Sequence, residues 1–180
     1  MLESHRKLID EAGAAAEKIL QTAAADSPFL VGCHFDADGL AAAGILSKAL
    51  CRKGASFHLR TLKQLDQETV DFLSKSAPET IVLADVGSGY LDLLKGPTQS
   101  KDVFILDHHQ INGKTDDRLT HVNPHLFGID GGKDVSGAGV AYLVARAMDQ
   151  QNLDLASLAV VGAVGDMQDK NEKRALQGFN

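Results

Sequence analysis

The chain has 180 residues, 44% hydrophobic and 23% charged, with a net charge of −6; these values describe one folded domain with a full core and exclude a disordered or fibrous protein. No apolar run reaches the roughly 18 residues of a membrane span, and the polar, amphipathic opening MLESHRKLIDEAG has no signal-peptide core, so the sequence points to a cytoplasmic protein. The acidic balance, the absence of Trp and the 5% aromatic content leave little for a basic nucleic-acid coat or a stacking platform, so any phosphate-bearing substrate has to meet a local positive site, which metal ions can supply.

Leu2, Ile9, Ala16, Ile19 and Leu20 recur near helical spacing and predict a helix over 2–24. FLVGCH (29–34) is a short apolar run of strand type, followed by Asp-Ala-Asp-Gly and the helical stretch LAAAGILSKAL. SFHLRT (56–61) predicts a second strand, QLDQETVDFLSKS carries helical spacing, and TIVLAD (80–85) is a third strand. Gly87-Ser88-Gly89 forms a loop into a short helix. DVFILD (102–107) is a fourth strand, followed at once by His108-His109, and THVNP (120–124) is a short fifth. GIDGGKDVSGAG opens a helix over 137–149, and LASLAVVGAVG (155–165) is expected to be a buried helix. This alternation predicts an α/β fold, a mostly parallel, doubly wound, Rossmann-like sheet of about five strands flanked by helices. No repeat or internal domain boundary is evident.

Acidic and His residues gather after three of these strands. His34, Asp36 and Asp38 follow the first, Asp85 closes the third, Asp107, His108 and His109 close the fourth, and Asp166 ends the stretch 155–165. Open α/β sheets form their sites outside the C-terminal ends of the strands, so these groups converge on one edge. Two carboxylates about 4 Å apart repel by roughly 4 kcal/mol at an effective dielectric near 20, and several together require protons or a cation. Carboxylates mixed with imidazoles suit Mn²⁺ and tolerate Mg²⁺. The count suffices for two ions about 3.5–4 Å apart, the spacing of two-metal hydrolases acting on phosphoesters or anhydrides.

Each residue alone has a plainer explanation. Asp36 or Asp38 can cap the following helix, and Asp85 can simply end a strand. His58 lies mid-strand, His5 sits on a solvated helix, and His121 and His125 flank the turn signal Asn123-Pro124. Cys33 and Cys51 form no C-x-x-C pair and are free thiols in a reducing compartment; Cys33 beside His34 is a small buried apolar residue rather than a zinc thiolate. VGSGYLD and the loop around Gly137 and Gly139 both lack the third Gly of a dinucleotide fingerprint, and no phosphate-binding G-x-x-x-x-G-K-[ST] loop is present. Ser136-Gly137 at a helix start offers amides to a phosphate or serves as an ordinary cap.

HFDADG, LADVGSG, LDHH and GAVGD, in that order, resemble the four motifs of the DHH phosphoesterase superfamily, with Asp107-His108-His109 as its signature triplet. His-x-Asp-Ala-Asp-Gly, SGAGVAYLVA and GDMQD resemble archaeal RecJ-like proteins most, single-strand exonucleases of which some associate with the GINS complex at replication forks. The resemblance spans residues 29–169. It implies two Mn²⁺ or Mg²⁺ ions, with Asp36 on one, Asp38 on the other and Asp85 bridging. His108 and Asp166 would join the second ion, His109 would contact the scissile phosphate or orient a ligand, and Asp107 would support the triplet. His34 would bind the first ion or stand behind it; in some branches the equivalent His lies four residues before the first Asp, not two as here.

Members of this superfamily carry a second domain, with a Gly-rich His motif that binds the substrate's end; here Gly131-Gly132 is followed by Lys133 and is no substitute. With 14 residues after Asp166, residues 1–180 are expected to form the catalytic domain, needing a second domain or a partner in trans and acting weakly or not at all as an exonuclease alone. The expected function is a two-metal phosphodiesterase releasing mononucleotides from single-stranded DNA or RNA. The alternatives are hydrolysis of short oligonucleotides, cyclic dinucleotides or pyrophosphate, and a GINS-binding replisome scaffold, against which the intact motifs argue.

Overall fold

The computed structural model describes every residue except 1, 26, 97, 116, 117, 172, 174 and 180. Helix α1 (Glu3–Ala24) leads into β1 (Phe29–His34), α2 (Ala37–Arg52), β2 (Phe57–Leu62), α3 (Gln67–Lys75) and β3 (Thr80–Ala84). Then follow α4 (Leu91–Lys95), β4 (Asp102–Leu106), β5 (Leu119–Val122), α5 (Gly137–Met148) and α6 (Ala156–Gly165). The strands form one five-stranded sheet of order β2-β1-β3-β4-β5 with every pair parallel, as the alternation of elements predicts.

Alternate residues of each strand point to opposite faces. Phe29, Val31 and Cys33, Val82 and Ala84, Phe104 and Leu106, and Val122 meet the helices α1, α2 and α5 on one face. Leu30, Ile81, Leu83, Val103 and Ile105 meet α3 and α4 on the other. Burial on both faces is why β1, β3 and β4 are continuous apolar runs in the sequence. At the edge, β2 leaves His58, Leu59, Arg60 and Thr61 exposed, so its SFHLRT stretch keeps polar residues.

The chain runs outward from β1 to β2 and then returns across β1 to start β3. This reversal opens a crevice at the C-terminal ends of β1 and β3, where open parallel sheets hold their ligands. The register aligns Cys33 with Ala84 and Ala84 with Leu106, so His34, Asp85 and Asp107, each one residue on, emerge side by side.

The stretch 155–165 differs from expectation. It forms α6, preceded by a 3-10 turn over Gln150–Leu155, but only Gly162 and Ala163 within it are buried, while Val160, Val161 and Val164 face solvent. A helix apolar all round carries no polar face to signal which side is covered. Here the covered side is the one with the smallest residues, because Gly162 packs against Asp38 and Ala138 so closely that a Cβ would collide with both. Among the described residues no helix is long and apolar enough to cross a membrane.

Candidate metal centre

The turn after β1 uses Asp36 twice. Its Oδ1 accepts the Gly39 N–H (3.0 Å) and so caps α2, while Oδ2 lies 2.7 Å from His34 Nδ1. The capping role and a place at the site are therefore compatible, one carboxylate oxygen for each. Asp38 sits in the first turn of α2 yet is buried, with its carboxylate against the start of α5: Oδ2 accepts the Gly137 N–H (2.7 Å) and Oδ1 the Ala138 N–H (2.9 Å). A helix N-terminus favours that negative charge. Burial still raises the Asp38 carboxyl above its ordinary value, against the charge of His108 and these amides.

Ser136 and Gly137 both have partners within the chain. The Ser136 hydroxyl accepts the Gly139 N–H (3.2 Å) as a helix cap, and the Gly137 amide is taken by Asp38. The anion in this cradle is the chain's own carboxylate. Gly137 has a packing reason as well, because a Cβ there would strike the Asp85 side chain.

Asp85, directly after β3, adopts φ 59, a left-handed conformation that Asp tolerates better than most residues and that is often found at functional sites. It is 1% exposed, and neither carboxylate oxygen has a hydrogen-bond partner. Burial pushes it up to about 7, with the neighbouring Asp38 and Asp107 adding to the rise and His108 opposing it.

The triplet after β4 is organised by its Asp. Asp107 Oδ1 accepts the backbone N–H of His108 (2.8 Å) and of His109 (3.2 Å) and the ring Nδ1–H of His109 (2.8 Å), while Oδ2 accepts the Ser88 N–H (2.8 Å). Burial alone would raise this carboxyl, but His109, His108 and the Ser88 amide hold it well below the usual carboxylate range. The same hydrogen bond raises His109 and leaves its Nε2 edge open, the side chain being 50% exposed.

His108 is almost sealed, at 4% exposure. Its Nδ1 donates to the Gly131 carbonyl (2.6 Å), which leaves Nε2, the nitrogen that can ligate an ion once it gives up its proton, aimed at Asp85 Oδ1 (3.2 Å) and Asp38 Oδ2 (3.6 Å). A backbone carbonyl fixing the far nitrogen is the usual support of a metal-binding imidazole. Burial works against the charged ring, but the adjacent Asp85 carboxylate pushes it up to about 10. Nε2 and both Asp85 oxygens are buried without hydrogen-bond partners. Such atoms need a shared proton or a cation, and the mixture of carboxylate oxygen and imidazole nitrogen suits a first-row divalent ion.

Among the described residues the donor atoms fall into three groups whose members lie within 4.8 Å of one another: His34, Asp36 and Asp85; Asp38, His108 and Asp166; and Asp85, Asp107, His108 and His109. Asp85 and His108 recur among them, so the groups adjoin. Asp166 is the outlying member, with Oδ2 3.8 Å from His108 Nδ1, the nitrogen already given to Gly131, and held by the Gln168 side-chain amide at 2.9 Å. Cys33 is buried and its thiol is pushed up to about 11, by burial and then by Asp85 and Asp36, which disfavours a thiolate ligand. His58 is exposed on the edge strand, and His5 packs against the Phe179 ring at 4.5 Å.

Sequence reasoning missed the supports. Asn123 is fully buried and its Nδ2 donates to Ser88 Oγ (2.8 Å) and to the His109 carbonyl (2.9 Å), while His121 Nε2 lies 2.8 Å from the same hydroxyl. The turn signal at Asn123-Pro124 locates the Asn, which also accepts the His125 N–H, but no spacing rule links it to residues 88 and 109. Asn123→Ala takes their Asn123 partner from the His109 carbonyl and the His125 N–H and leaves the Ser88 hydroxyl with His121; equilibrium denaturation should show a loss of about 2–4 kcal/mol.

Residues 28–163 match the DHH family, N-terminal domain. An uncharacterized protein of Methanocaldococcus jannaschii is 38% identical over 142 residues, covering 75% of this chain and 32% of that protein. The single-stranded-DNA-specific exonuclease RecJ of Thermus thermophilus is 30% identical over 145 residues, or 74% of this chain and 21% of its own length. Its crystal structure in complex with Mn²⁺ superposes with a TM-score of 0.69 at 30% identity, over 89% of this chain and 24% of that one. A crystal structure of exonuclease RecJ bound to manganese gives a TM-score of 0.70 at 28% identity, over 88% of this chain and 43% of that one. The chain thus spans about a third and about a fifth of the two curated relatives.

Proposed function

We propose a metal-dependent phosphodiesterase acting on single-stranded nucleic acid, on the premise that this chain belongs to the DHH family, whose N-terminal domain it matches over residues 28–163. The observation that carries the proposal is the set of three buried, unpartnered atoms, Asp85 Oδ1 and Oδ2 and His108 Nε2, flanked by further donors from β1 and α6. His34 and Asp36 with Asp85 would hold one Mn²⁺ or Mg²⁺, and Asp38, His108 and Asp166 with Asp85 a second. When bound, two such ions lower the pKa of water and neutralise charge on a phosphoryl group.

The chain's own residues do the rest. Asp107 keeps the His109 Nδ1–H engaged and so orients the ring, and the raised, half-exposed imidazole offers its Nε2–H to a phosphate oxygen. Gly131 fixes the tautomer of His108, and the Gly137 and Ala138 amides fix Asp38. The likeness to RecJ, named for single-stranded DNA and solved with manganese, supports the choice of substrate and ion. The intact donor set argues against a purely scaffolding role, and association with replication proteins such as GINS stays a secondary part of the proposal.

The test is hydrolysis of an end-labelled single strand, a dinucleotide and pyrophosphate side by side with Mn²⁺, for the parent chain and for Asp36→Ala and His108→Ala. Mn²⁺-dependent cleavage lost in both variants is expected; cleavage surviving both overturns the proposal. Ion binding also has to displace protons. In the metal-free protein the His108 ring holds its proton up to about pH 10 and Asp85 up to about pH 7. The apparent Mn²⁺ Kd, measured by calorimetry, should therefore weaken by about tenfold per pH unit as pH falls towards 7, and more steeply below it.

A further inference from the structure

The centre is closed on one side and open on the other. Asp38, Asp85 and His108 are sealed beneath the start of α5 and the Gly131 loop, whereas His34 and His109 are partly exposed. The His34–His109 side is therefore open to a reacting phosphate. On that side a cleft of about 500 Å³ runs outward from His34, Asp85 and His109, a volume ordinary for small-molecule sites. It lies outside the ends of β2, β1 and β3, at the reversal of strand order.

The outer walls are chemically mixed. Lys63 follows the last residue of β2, Tyr90 ends the 3-10 turn after β3, and Gln110 and Asn112 follow the triplet. The Asn112 N–H donates to the Ser88 carbonyl (2.9 Å), which ties the wall carrying Asn112 to the wall carrying Tyr90. Lys63 is the one Lys or Arg among the described residues of the lining. The Tyr90 ring is 42% exposed. The chain's other Tyr, Tyr142, packs against the core, and Phe35 packs edge-on against the His34 ring at 4.9 Å. Tyr90 is thus the aromatic face presented to the cleft.

We propose that this cleft holds the nucleoside attached to the scissile phosphate. The base lies on the Tyr90 ring, the Lys63 ammonium meets the neighbouring phosphate, and the side-chain amides of Gln110 and Asn112 bond the base edge or sugar. The inference rests on the phosphodiesterase reading for the position of that phosphate, and it adds what the acidic centre lacks, an apolar face and a fixed cation. One aromatic face suits any base, so the cleft confers preference for nucleotides over non-nucleoside phosphates without preference among bases.

The test uses the full chain with Mg²⁺ and follows backbone and side-chain amide resonances by NMR during titration with 5′-dAMP or inorganic phosphate. The expected result is that dAMP moves the Gly89, Tyr90, Gln110 and Asn112 signals, while phosphate leaves Tyr90 and Asn112 in place. Tyr90→Ala should weaken dAMP binding by about tenfold, and Tyr90→Phe should restore it while confirming that the loop folds. The inference is overturned if dAMP and phosphate shift the same signals, or if Tyr90→Ala binds dAMP like the parent. Failure of the underlying reading has a separate signature: Mn²⁺ binding, followed by electron paramagnetic resonance, that is unchanged by Asp85→Asn.

Discussion

Replacing Asp85 by Asn is expected to abolish divalent-ion-dependent hydrolysis and, at alkaline pH, to raise the stability of the metal-free protein. The carboxylate is buried without a hydrogen-bond partner and is pushed up to about 7 by that burial, against an ordinary unfolded value of about 3.9. The folded state therefore binds its proton more tightly than the unfolded state does. This group's contribution to stability is fully present below about pH 4 and is lost as pH rises through about 7. Asn is uncharged at every pH, and its amide N–H can donate to His108 Nε2. A gain on the order of 1–3 kcal/mol follows for the metal-free variant above about pH 10, where His108 has lost the proton that offsets the Asp85 charge, or roughly 2–8 °C in Tm for a chain of this size. Adding Mn²⁺ should reverse the order, since only the parent gains from a ligand that binds the native state. Thermal denaturation with and without Mn²⁺ checks both halves, and an Asn variant less stable than the metal-free parent would refute the account of a strained, charge-repelling centre.

The second large effect is expected from Gly162→Ala. On most helices this exchange stabilises by about 0.5–1 kcal/mol. At Gly162 the added methyl would meet Asp38 Oδ1 and the Ala138 side chain. Overpacking of this kind costs about 1–3 kcal/mol, and the natural relief is for Asp38 to leave the Gly137 and Ala138 amides, which dismantles one side of the centre. Mn²⁺ affinity should fall by more than stability does. Gly44→Ala and Gly13→Ala provide the contrast, since a methyl meets nothing closer than 3.7 Å at the first and nothing within 4 Å at the second. Both should be neutral or stabilising and should leave Mn²⁺ binding unchanged. Calorimetric titration alongside denaturant melts separates the three variants.

What the sequence made legible follows from how local each signal is. β1, β3 and β4 are evident because burial on two faces forces uninterrupted apolar runs, and their order with the intervening helices sets a parallel sheet. The convergence of His34, Asp85 and the 107–109 triplet is legible because strand ends in such a sheet share one edge. The pairing of Asp38 with Gly137 and Ala138 is not, since it joins residues 99 and 100 apart, and a free helix start and an occupied one look alike in sequence. The Ser88–Asn123–His109 bridge is hidden for the same reason. The exposure of Val160, Val161 and Val164 has another cause: apolar residues all round a helix record its composition but not which neighbours cover it.

The long reach of Asp38 also bears on the order in which the protein is assembled. HFDADG alone, or any partial chain that ends before α5, has no Gly137 and Ala138 amides to hold the Asp38 carboxylate, and one that ends before residue 131 also lacks the carbonyl that sets the His108 ring. On the proposed reading, ion capture by Asp38 would follow the docking of α5 beside α2 rather than nucleate the fold. Contacts across so many residues form late and slowly compared with local helix formation. The proposed centre would thus report folding: a chain that held ions there would already have joined residues 99 and 100 apart.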